Sequence, residues 1–93
     1  FRLSENPEER IAPRSIHCRE GVGDRLRSAA WAEIQAREAF QWAARTFQDA
    51  PAELRAAWAK LALEEEKHMN WLLNRLSELG MSVTERPVSD HLW

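Results

Sequence analysis

Between Gly23 and Gly80 the chain contains one residue that a helix interior rejects, Pro51. Long stretches of good helix formers flank it, so this part of the chain is expected to form two helices joined at Asp49-Ala50-Pro51. Asp24 is placed to cap the first helix, which is expected to reach about Gln48. Pro51 suits the first position of the second helix, where its missing N–H costs nothing, and Glu53 suits the positive end of that helix. Gly80 supplies the left-handed residue that ends it near Leu79. So short a connection makes the helices antiparallel neighbours, and the expected fold is an all-α helical hairpin over residues 24–80.

The flanks have no sustained period. Residues 1–23 carry the turn-forming clusters Asn6-Pro7, Ala12-Pro13-Arg14-Ser15 and Gly21-Val22-Gly23, and are expected to form an irregular arm. Gly21-x-Gly23 is a fragment of a phosphate-loop pattern without the preceding strand or a third glycine, so it carries no nucleotide-binding expectation. His17-Cys18-Arg19-Glu20 holds metal-binding and nucleophilic side chains, but adjacent residues on a polar arm are more often neither. The tail, residues 81–93, contains Pro87 and ends in Leu92-Trp93, which is expected to fold back onto the helices.

Composition removes several function classes. Thirteen Lys plus Arg against 15 Asp plus Glu in 93 residues leave a net charge of −2, with no overall field for nucleic acid or an anionic membrane. No run of about 18 apolar residues and no signal-like start is present, so the expectation is a cytoplasmic chain with no membrane segment. Cys18 is the only cysteine, which excludes an internal disulfide and a Cys-rich zinc site within one chain. A first residue of Phe1 rather than Met suggests a piece of a longer product.

The chemistry lies in where the helical period puts two acids. At about 100° per residue, Leu54, Trp58, Leu61, His68, Met69, Leu72, Leu76 and Leu79 share a sector with Glu65. Around Glu33 the same construction gathers Leu26, Ala29, Ala36, Phe40, Ala44 and Phe47, with Ala43 at the edge. Counted outward from the turn at ~1.5 Å per residue, Glu33 and Glu65 reach the same level, as do Phe40 with Trp58 and Phe47 with Leu54. Glu33, Glu65 and His68 should therefore converge inside one interface. An ionised carboxylate there needs a charge partner, a proton or a metal, and Glu-x-x-His on an inward helix face is how four-helix bundles hold paired iron or manganese ions.

A metal-free arrangement competes with this reading. Glu64-Glu65-Glu66 with Lys60 and Lys67 has the composition of a solvated, salt-bridged face, and Arg37 lies on the side of the first helix from which it would neutralise Glu33. Trp31, Ala39 and Trp42 sit on the opposite side of the first helix among Gln35 and Glu38, so that helix is expected to pack on two sides. For Trp58 and Trp71, packing is preferred over electron transfer.

The segments Glu33-Ile34-Gln35-Ala36-Arg37-Glu38, Glu65-Glu66-Lys67-His68 and Pro87-Val88-Ser89-Asp90-His91-Leu92-Trp93 make residues 24–93 resemble the ferritin-like superfamily, which includes ferritins, rubrerythrins and tRNA-modifying di-iron hydroxylases. The Pro-to-Trp ending resembles a bacterial branch of it and marks the branch rather than any chemistry. The resemblance implies Glu33 and His68 as terminal metal ligands, Glu65 as a bridging carboxylate, and all three as the catalytic set. A ferritin-like bundle has four helices and two such ligand sets, whereas this chain has one. The hairpin would then be half of the bundle, completed by a second copy in a homodimer or higher homo-oligomer, or by a segment missing here.

The expected function is a ferritin-like di-metal carboxylate protein, with two iron ions shared between paired ligand sets, or manganese or zinc in their place. It would use oxygen or peroxide to oxidise iron or a substrate, as an oxidoreductase of ferroxidase or hydroxylase type. The rivals are a metal-free helical interaction or oligomerisation module and a redox-inert structural metal site.

Overall fold

In the computed structural model, described over residues 1–4 and 12–88, two antiparallel helices pack along their length, α1 (Arg19–Thr46) and α2 (Ala52–Glu78). The all-α hairpin expected from Pro51 and Gly80 is the fold. Among the described residues the extended pairing is one isolated parallel bridge, Leu3 with Val88, where Ser4 N–H donates to Val88 O at 2.9 Å and Val88 N–H to Arg2 O at 2.7 Å.

α2 ends as the sequence implies. Gly80 takes φ +73°, its N–H donates to Ser77 O at 2.9 Å, and Met81 N–H donates to Leu76 O at 3.2 Å. This paired closure satisfies carbonyls that the helix end would otherwise leave open, and it swings Met81 inward beside Leu76, both buried. At the other end Pro51 is the N-cap, without a side-chain cap, and Glu53 lies in the first turn.

The start of α1 differs from the expectation. Cys18, not Asp24, is the N-cap: its backbone is extended and its Sγ accepts the Gly21 N–H at 3.4 Å. Residues 19–23, assigned to the irregular arm from sequence, form the first turns of α1. Gly21 and Gly23 are therefore helical, and their missing side chains make room. A Cβ on Gly21 would run into the Ser15 carbonyl, and one on Gly23 into the Met81 thioether.

Asp24 is instead a buried charge that clasps three stretches of chain. Arg14 donates to it from its backbone N–H at 2.9 Å, from Nε at 2.9 Å and from Nη2 at 2.8 Å. Arg27 reaches it from one turn on at 3.3 Å, and Arg86 from the tail. The Arg14 guanidinium holds the carboxyl well below the usual carboxylate range, against desolvation that pushes it up. Arg27, 1% exposed, also donates to Ser82 O from Nε at 3.1 Å and from Nη2 at 2.9 Å. The arm and tail are thus tied to one end of α1 by charge-assisted hydrogen bonds.

That end also packs the half-buried Trp31 against Phe1, with ring centroids 5.3 Å apart, so α1 does pack on two sides over its first half. The second half is barer. Among the described residues the buried apolar side chains are Ala30, Ala62, Leu76, Met81 and Val88, while Trp42, Phe47, Leu54, Leu61, Leu63 and Trp71 are exposed. Phe47 meets Trp58 at 6.0 Å and Trp42 at 5.5 Å between centroids, so the layer nearest the turn is an aromatic cluster in addition to the Phe47 and Leu54 level. The fold-back expected of Leu92 and Trp93 lies outside the described residues.

Candidate metal centre

Glu33 lies near the middle of α1, and Glu65 and His68 near the middle of α2. The antiparallel register brings all three together, with one ligand atom from each within 4.8 Å of the others. His68 Nδ1 is 3.8 Å from Glu33 Oε2 and 3.9 Å from Glu65 Oε2. These separations exceed hydrogen-bond length. They are close to what a shared ion spans, since metal–ligand bonds of about 2.0–2.2 Å place two ligand atoms up to about 4.4 Å apart.

Burial grades across the three side chains. Glu65 is 20% exposed, Glu33 27% and His68 45%, so the acids face the interhelical seam and the imidazole stands at its rim. Glu33 Oε2 is buried and accepts no hydrogen bond. A buried carboxylate oxygen without a donor is costly, and a cation at the convergence point of the three side chains would remove that cost. The donor set of two carboxylates and one imidazole suits iron, manganese or zinc.

Arg37 and Lys67, two of the cations named as rivals, are engaged elsewhere. Arg37 Nη2 lies 3.1 Å from Glu38 and Nη1 3.6 Å from Glu66, on the flank of the site, rather than on Glu33. The Lys67 ammonium lies 5.2 Å over the Trp71 ring. Among the described residues, no Lys or Arg lies within ion-pair distance of Glu33 or Glu65, and His68 is their one basic neighbour. Glu64 is exposed and outside the cluster, as the apolar period implied.

Next to the centre, toward the turn, an open apolar groove of about 630 Å³ is lined by Ala39, Phe40, Trp42, Ala43 and Trp58, with Glu38 at its rim. Sequence reasoning missed three features of this region. Glu66 is a second acidic neighbour of Arg37 beside Glu38, Trp71 packs on His68 at 5.6 Å between centroids, and Asp24 is an ion-pair hub. The Trp71 contact was open to discovery, because Trp71 stands one turn from His68 on the same helix. His17 and Cys18 stand apart from the centre, with Cys18 spent on capping.

No helix among the described residues is long and apolar enough to cross a membrane. No curated protein and no solved structure matches the chain. One family model, described as "Protein of unknown function (DUF455)", matches residues 3–93, nearly the whole length, and the chain belongs to that family.

Proposed function

We propose that Glu33, Glu65 and His68 are one half of a two-metal carboxylate centre, and that the hairpin is half of a ferritin-like four-helix bundle completed by a second copy of this chain. The observation that carries it is the convergence of the three ligand atoms within 4.8 Å around a buried Glu33 oxygen that accepts no hydrogen bond. The exposed stripe of Leu54 and Leu61, with Phe47 and the groove at Trp58, supports a partner hairpin, since two helices alone leave this apolar side in water.

Two such sets supply four carboxylates and two imidazoles, enough to balance two divalent ions. Glu33, Glu65 and His68 would hold the ions, with Glu65 as the bridging carboxylate and Glu33 and His68 as terminal ligands if the resemblance to ferritin-like proteins extends to the site. An iron pair bound there supplies oxygen- or peroxide-dependent oxidation, of iron itself or of an organic substrate. The chain holds the ligands on two helices that set their spacing, and a partner hairpin over the open side would exclude water from them.

Aerobic addition of ferrous iron tests the reading. Wild type should give a fast rise in near-ultraviolet absorbance that saturates at about two irons per pair of chains, the stoichiometry of a paired centre. Glu65→Ala should lose the fast phase, and His68→Ala should weaken iron binding and slow what remains. Oxidation no faster than in buffer, with zinc retained under metal-limited expression, would favour a structural metal site instead.

A further inference from the structure

His68 is the least buried of the three ligand candidates, and among the described residues no hydrogen bond reaches either of its ring nitrogens. A metal-binding histidine is normally aimed by a hydrogen bond to its second nitrogen, which fixes ring rotation. Here the imidazole is packed instead by Trp71, with centroids 5.6 Å apart and planes tilted by 38°. Trp71 is 60% exposed, so burial does not explain where the indole lies. Lys67, four residues earlier on the same helix, sets its ammonium 5.2 Å over the same indole.

We infer that Trp71 is the positioning residue of the centre: its indole, steadied by Lys67, stacks on the His68 ring and keeps Nδ1 turned toward Glu33 and Glu65. This rests on the metal-centre reading above. The stacking does for ring orientation what a second hydrogen bond does elsewhere, by excluding the rotamers that turn the imidazole into solvent. Trp71 is not itself one of the ligand candidates. Its effect is on how much of the time the third ligand is in place.

Zinc(II), a redox-inert probe, separates the possibilities when titrated by calorimetry into the full chain alongside metal-free thermal unfolding and light scattering. Trp71→Ala should weaken zinc binding by about tenfold, the scale on which orienting partners act. Metal-free melting and oligomeric state should stay unchanged, as expected for an exposed side chain. Trp71→Phe, which retains a stacking face, should restore most of the affinity. Equal affinity in wild type and Trp71→Ala would overturn the positioning role and leave the metal centre standing. A loss that Phe does not rescue, or that comes with a lower metal-free midpoint or a dissociated assembly, would overturn it in favour of a structural role. Failure of wild type itself to bind zinc would remove the metal-centre reading and this inference with it.

Discussion

His68 Nδ1 on α2 stands 3.8 Å from Glu33 Oε2 on α1, close enough for a shared ion and too far for a hydrogen bond. The two side chains come from helices that pack against each other along their length, with Ala30 of α1 and Ala62 of α2 both buried. The relation has consequences at the centre and beyond it.

Ligand removal should sort the neighbouring acids. Glu33→Ala, Glu65→Ala and His68→Ala should each abolish tight binding of a divalent ion, while Glu64→Ala should leave it nearly intact. Glu66→Ala should have a smaller effect, through release of Arg37 from its 3.6 Å contact. Isothermal titration of the five variants checks this, and equal losses in all of them would contradict the assigned ligand set.

Self-association should run through the apolar side that carries the centre. Leu61, 38% exposed on α2 between Trp58 and Glu65, should become intolerant of charge, so Leu61→Asp is expected to shift the chain from dimer to monomer in light scattering at micromolar concentration. Leu63→Asp, on the opposite side, is the control and should not. A stable, folded wild-type monomer would count against the half-bundle.

Acid should unfold the end of the hairpin that Asp24 clasps. The Arg14 guanidinium holds the folded-state carboxyl below its unfolded value of about 3.9. The stabilisation is therefore complete above that value and is lost as pH falls through the folded one. Wild type should lose stability steeply below about pH 4, while Asp24→Asn should show a flatter acid limb and cost about 3 kcal/mol at neutral pH, the scale for breaking a buried ion pair. Denaturant melts at pH 7, 4 and 3 measure both.

Gly21→Ala should destabilise, although alanine in an ordinary helix position stabilises. Its Cβ would be driven into the Ser15 carbonyl, a backbone atom that cannot swing aside. A cost of about 1–3 kcal/mol is expected. Gly23→Ala meets the flexible Met81 side chain instead and should cost less.

Periodic and local signals made the hairpin readable in the sequence. Pro51 and Gly80 act through their own backbones, and the matched depth of Glu33 and Glu65 follows from counting residues along two regular helices. The start of α1 was not readable in the same way. Asp24 has the chemistry of a cap, but Arg14 and Arg86, far from it in sequence, recruit it into a buried cluster, and two glycines enter the helix because Ser15 and Met81 need their space. Arg37 had both a competing and a compatible partner within reach, and the lateral placement of Glu66 against Glu33 decides between them only in three dimensions.

The metal content of the chain purified without added metal, measured by elemental analysis beside Glu65→Ala and followed by chelation and thermal unfolding, tests the centre most directly. Wild type should retain iron or a similar transition metal at about one ion per chain, Glu65→Ala should retain almost none, and chelation should lower the wild-type melting midpoint toward that of the variant. A metal-free wild type whose melting ignores both chelator and added metal would contradict the metal centre and make Glu33, Glu65 and His68 an ordinary polar cluster on a helical interaction module.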